Sequence, residues 1–139
     1  MRTNIGCFAL LLAIAVPALL FACSCAPPPS PKESLKASSA VFAGKVTAIA
    51  AAGKFHHAVT FEIASTWKGT KGKTVTVVTH KDGATCGYEF AKGKSYLVYA
   101  SQVKDKDKTY LETNICTRTE LLADAKQDLA ELGKSQLEK

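Results

Sequence analysis

Four cysteines carry the chemistry this chain could do. Cys23 and Cys25 flank Ser24 directly behind an apolar leader, while Cys86 and Cys116 lie far downstream. Such thiols ligate metals, act as nucleophiles or pair as disulfides, and an even number in an exported chain favours pairing. Cleavage between Ala22 and Cys23 would leave a cysteine with a free α-amine at the mature terminus. A Cys23–Cys25 bridge would close a very tight ring, so each of the two should bond a distant partner. That leaves two pairings open, Cys23 with Cys86 or with Cys116. Either would pin the new terminus to a folded body as a rigid probe. Nucleophilic catalysis finds no support, because a bridged cysteine is inert and no serine stands in an elbow motif.

The leader itself is read as a signal peptide over residues 1–22. Met1-Arg2 supplies the positive start, Phe8 to Phe21 is an apolar run broken only by Pro17, and Ala22 is the small residue at the cut. The run is short for a membrane span and no basic stop signal follows it. Cys7 leaves with it. The expected localisation is therefore secreted or periplasmic, with no membrane span. A second reading uses the same residues: Leu20-Phe21-Ala22-Cys23 approximates a bacterial lipobox, in which Cys23 would carry a lipid anchor and the product would be an envelope lipoprotein. The two exclude each other, since a lipidated Cys23 can neither form a disulfide nor present a free amine.

Charge is a weaker guide. The formal net charge is +6, nearly all from lysine, with Arg118 the only arginine beyond the leader. Arginine is the residue suited to planar capture of phosphate and carboxylate, so a lysine-rich surface reads as solvated rather than as an anion site. The basic turns at Lys68–Lys73, Lys92–Lys94 and Lys104–Lys108, near Trp67, Tyr88 and Tyr96, leave an acidic glycan or anionic envelope surface as an alternative ligand; nucleic acid is not expected in an exported location. His56 and His57 are adjacent, so on a strand only one could join His80. All three are read as ordinary surface side chains, with no metal of the protein's own and no cofactor. Glu62, Asp82, Glu89 and Glu112 are scattered, and no pair of them can be assigned to a catalytic site.

The elements that must position the cysteines follow from capping and periodicity. Ala26 to Pro31 is a stiff proline-rich lead. Ser30-Pro31-Lys32-Glu33 is a capping box that predicts a short helix to about Ala37. Strands are predicted at Ala40–Ile49, His57–Trp67, Thr74–Thr79, Ser95–Ser101 and Tyr110–Cys116. A second capping box, Thr117-Arg118-Thr119-Glu120, predicts a helix whose face is Leu121, Leu122, Ala125, Leu129 and Leu132, stopped at Gly133. With no linker or repeat, residues 23–139 are expected to form one domain, mainly β with flanking helices: a five-stranded OB-fold-like barrel.

These residues resemble a known family. Cys23-Ser24-Cys25 followed by prolines and a short helix, then Phe61-Glu62-Ile63, Trp67-Lys68-Gly69, Cys86-Gly87-Tyr88 and Thr113-Asn114-Ile115-Cys116, are similar to the tissue inhibitors of metalloproteinases and their netrin-like module. The likeness spans the mature chain, and the cysteine spacing is its specific part. It implies disulfides Cys23–Cys86 and Cys25–Cys116. It also implies a function: the protein is a monomer and not an enzyme, and its partner is a zinc metalloprotease. The α-amine and carbonyl oxygen of Cys23 would take the open position of that enzyme's zinc and expel its water. Ser24 would face the main specificity pocket, with Cys25, Ala26 and Pro27 along the cleft and Ala84, Thr85 and Cys86 as the adjoining ridge. The family's third disulfide has no counterpart, Leu35 or a neighbour standing where its first-helix cysteine would be. Netrin-like modules also occur without inhibition, so a non-inhibitory binding module of the envelope is the alternative.

Overall fold

Ser30 starts the first helix as its chemistry requires. In the computed structural model, which describes residues 23–136, α1 spans Pro31–Ala37. The Glu33 backbone N–H donates to Ser30 Oγ at 3.3 Å, and Ser30 N–H donates back to Glu33 Oε2 at 3.1 Å. The Ser30 hydroxyl, donating to Glu33 Oε2 at 2.8 Å, and then the Ser30 N–H hold the Glu33 carboxyl below the usual range. The leader expected over residues 1–22 lies outside the described residues. Among those described, no helix is long and apolar enough to cross a membrane.

Six strands follow, β1 (Ala40–Ala52), β2 (His56–Lys68), β3 (Thr74–His80), β4 (Ser95–Asp105), β5 (Lys108–Glu112) and the two-residue β6 (Glu120–Leu121), then α2 (Lys126–Leu132). Neighbours run β1-β2-β3-β5-β4, and β1 also pairs with β4, so five strands close into a barrel. All pairs are antiparallel except β3 with β5, where Val77 and Val78 face Leu111 and Glu112. Closure depends on β1, whose first residues pair with β2 on one side and with β4 on the other. Register shifts at Val41/Phe42, Ala43/Gly44 and Val46/Ala48 bend it enough to serve both, as bulges do.

Alternation along β1 and β4 divides the apolar residues between two cores. Phe42, Val46, Phe61, Val77, Phe90, Tyr96 and Val98 fill the barrel. Phe42–Phe61 and Phe61–Phe90 meet edge to face at 5.3 and 5.2 Å, the geometry aromatic quadrupoles favour. Val41, Leu97 and Tyr99 point outward and are covered by Ala125, Leu35, Leu122, Leu129 and Leu132. The helices are thus the lid of a second core, which explains why Val41 and Leu97 are fully buried on the barrel's outer face.

Four predicted elements change. β4 runs past Ser101 to Asp105, because Val103, Lys104 and Asp105 pair with Tyr110, Thr109 and Lys108, so the expected basic turn at Lys104–Lys108 is mostly strand. β1 continues to Ala52 and turns only at Gly53–Phe55, because the alanine run pairs with Ala58, His57 and His56. β5 ends at Glu112 rather than Cys116, since Thr113 leaves the strand to bond Tyr99 O at 2.8 Å. The second capping box caps nothing: Glu120-Leu121 is β6, and α2 begins after Ala125 with no side-chain cap. The reason lies on β4, whose edge pairs with β5 from Ser101 and with β6 at Tyr96-Leu97, leaving Tyr99 unpaired between them. Thr119 Oγ1 accepts from Tyr99 N–H at 3.0 Å, while Thr113 Oγ1 donates to Tyr99 O and contacts Thr119 Oγ1 at 2.9 Å. The threonines complete a strand edge that would otherwise hold orphaned peptide groups.

Candidate functional site

Residues 23–30 are irregular, and from Ser24 to Ser30 every residue is exposed. Two disulfides hold them down. Cys23 pairs with Cys86 and Cys25 with Cys116, at Cα–Cα distances of 5.2 and 5.1 Å. The bridges abut: Cys116 Sγ lies 4.0 Å from Cys23 Sγ and 3.9 Å from Cys86 Sγ. The receiving backbone is itself tied together, with Ile115 N–H donating to Cys86 O at 3.0 Å and Cys116 N–H to Asn114 Oδ1 at 2.9 Å.

Cys86 sits at the end of a tight 3₁₀ turn, Gly83–Thr85, with left-handed φ of 63°. Asp82 caps the turn by accepting from Thr85 N–H at 3.0 Å, and Gly87 N–H returns to Asp82 O at 2.9 Å. Gly87 is required here, because a Cβ would overlap the His80 carbonyl. Tyr88 N–H then donates to the buried Thr79 hydroxyl at 2.9 Å, seating the strand exit on β3. Ala84 and Thr85 are exposed on this turn. Of the residues singled out in the sequence, Cys23, Cys25, Cys86 and Cys116 therefore meet, with Ser24, Ala26 and Pro27 continuing from one side and Ala84 and Thr85 from the other.

Beside the turn a cavity of about 610 Å³ is walled by Ile49, His57, Lys81, Gly87, Tyr88 and Ile115. Ile49 and Ile115 remain about two-fifths exposed, an apolar rim next to the bridged segment. His57 Nδ1 is buried there without a hydrogen-bond partner among the described residues. Burial pushes the Tyr88 hydroxyl up to about 12, so it stays a neutral wall.

Arg118 holds the segment before α1 in a way that sequence reasoning passed over. Its guanidinium donates from Nε to Asp128 Oδ2 at 2.7 Å, pairs through Nη2 with Asp128 Oδ1, and reaches Pro29 O through Nη1 at 3.1 Å. Asp128 is buried and also accepts from the Tyr99 hydroxyl at 2.9 Å. One arginine thus locks the proline-rich lead to α2 and the outer core. A lone arginine in a lysine-rich chain was the available signal.

The alternative built on basic turns and aromatics loses its aromatics. Tyr96 is buried in the barrel, its hydroxyl accepting from Ala91 N–H at 2.9 Å, and Tyr88 packs against the same core. Trp67 lies against the outer core and donates to Gly133 O at 2.9 Å. The histidines are half-buried rather than superficial, with His56 and His80 opposed across β2 and β3 and His57 on the other face. No protein-family model and no curated protein matches the chain.

Proposed function

We propose that the mature protein inhibits zinc metalloproteases by offering the α-amine and carbonyl oxygen of Cys23 to the catalytic zinc. The observation that carries this reading is the pair of abutting disulfides, which fixes an exposed, proline-stiffened terminus against the Gly83–Thr85 turn. A terminus already ordered forfeits little conformational entropy on entering a cleft. Zinc in such enzymes keeps one position for water, which an amine and a carbonyl on one residue can displace together. Ser24, small and exposed, would enter the specificity pocket, while Ala26, Pro27, Ala84 and Thr85 line the cleft. Pairing of the Cys23 thiol with Cys86 also argues against a lipid on that sulfur and so for a secreted or periplasmic protein.

The test is a matched pair of proteins, one starting at Cys23 and one carrying a single extra alanine before it. The first is expected to inhibit members of a zinc-protease panel, and the second to have lost inhibition while keeping both disulfides and the same circular dichroism. Equal inhibition by the two would refute chelation. No inhibition by either would leave the envelope-module reading. The pH dependence gives a second check: the amine must be unprotonated to bind zinc, and a free α-amine titrates at about 7.7–8.0. Once corrected for the target's own profile, affinity should fall about ten-fold per pH unit below that range and level off above it.

A further inference from the structure

We propose that His56, His80 and Glu112 form a binding site of the protein's own for a divalent transition-metal ion, with zinc the leading occupant. The site does not rest on the inhibitor reading, and it is separate from the Cys23 terminus. The three residues come from three neighbouring strands and are brought to one place by the barrel's pairing. His56 on β2 lies directly opposite His80 on β3. Glu112 on β5 lies opposite Val78, two residues before His80 and so on the same face of β3.

The side chains follow the backbone. The imidazole centroids are 4.2 Å apart with planes tilted by 44°, and a ligand atom from each residue lies within 4.8 Å of the other two. All three side chains are half-buried, which shields them from bulk water without sealing them. Glu112 forms no ion pair with either histidine; among the described residues the ion pair is Arg118–Asp128. The gap between the donors therefore remains open to a cation. Zinc bonds of about 2.0–2.2 Å place tetrahedral ligand atoms roughly 3.4 Å apart, so side-chain rotations of under an ångström would close the set.

The chemistry of the donors selects the ion. Two neutral imidazoles and one carboxylate suit zinc and its first-row neighbours, whereas calcium and magnesium prefer all-oxygen sites. His56 also borders a cavity with Val78, Lys108 and Tyr110, leaving room for a water in a fourth position. Position in the chain gives the ion a structural consequence. The chain leaves β3 at His80 and passes Asp82 to Cys86, and it leaves β5 at Glu112 and passes to Cys116, so a bound ion would join the ends of the two strands just before both receiving cysteines.

Zinc titration by calorimetry of the oxidised protein, in the form with one extra alanine before Cys23, removes the terminal chelate and isolates this site. One zinc per chain is expected, with His80→Asn and Glu112→Gln each weakening it at least ten-fold and with magnesium giving no heat. Cobalt should give the visible absorption of a four- or five-coordinate nitrogen and oxygen site, and zinc should raise the thermal midpoint of the parent protein but not of the variants. His56→Asn provides an independent variant if circular dichroism shows either of the others to be misfolded. An absence of saturable zinc binding, a stoichiometry above one, or equal binding by folded variants would overturn the proposal. Inhibition assays on the form starting at Cys23 are scored separately, so either idea can fail without the other.

Discussion

Arg118 shows how much one side chain can hold. Asp128 is 1% exposed, and a carboxylate so placed needs both its arginine fork and the Tyr99 hydroxyl. Arg118→Ala would leave that charge half-compensated, and breaking a buried pair costs about 3–5 kcal/mol. Urea denaturation should show a loss near the lower figure, because Tyr99 still donates. The same change frees the Pro29 carbonyl, so amide exchange and proteolysis should quicken in residues 24–30. Arg118→Lys keeps the charge but loses the fork, and should fall between the two.

At the scale of elements, the turn after β2 decides whether the helices dock. Gly69 takes φ of +73°, and a Cβ there would overlap the Ser39 carbonyl that precedes β1. Next to it, Lys68 Nζ donates to the last carbonyls of α1, Leu35 O at 3.1 Å and Lys36 O at 2.8 Å, while Trp67 reaches Gly133 beyond α2. The stretch Trp67-Lys68-Gly69 is therefore a clasp for both helices. Gly69→Ala combines left-handed strain with a backbone clash and should cost about 2–3 kcal/mol. A blue-to-red shift of Trp67 emission at lower urea than the global transition would show that the helices release first.

Across the whole molecule, two disulfides closing separations of 63 and 91 residues carry much of the stability. The chain-entropy argument assigns a loop of that length roughly 4 kcal/mol, comparable to the net stability of a small domain. Burial raises the Tyr88 hydroxyl to about 12, and burial plus donation to Asp128 raises Tyr99 further. Unfolded tyrosine titrates near pH 10, so the unfolded chain loses these protons first. Their contribution is whole below about pH 10 and is lost as pH rises toward 12 and beyond, at up to about 1.4 kcal/mol per pH unit for each tyrosine. Denaturant midpoints measured from pH 9 to 12 should fall accordingly, and Tyr99→Phe should make the decline shallower.

Much of this was legible in the sequence because it is local. The Ser30–Glu33 capping box, the alternation in β2 and the turn glycines act within a few residues, and each appears where the pattern put it. The barrel class followed from counting strands. The box at Thr117–Glu120 misled because the Thr117 hydroxyl donates to Asn114 O and the Thr119 hydroxyl is needed by Tyr99, a demand that exists only once that edge of β4 is left unpaired between β5 and β6. The cysteines alone left two pairings open, and the fold brings Cys23 to Cys86 and Cys25 to Cys116. The clasp at Trp67, the Arg118 lock and the meeting of His56, His80 and Glu112 also join residues distant in the chain. The sequence by itself determined the local structure, because capping and periodicity are short-range. Only the tertiary structure decided the partners, because which strand edges stay open depends on how the barrel closes.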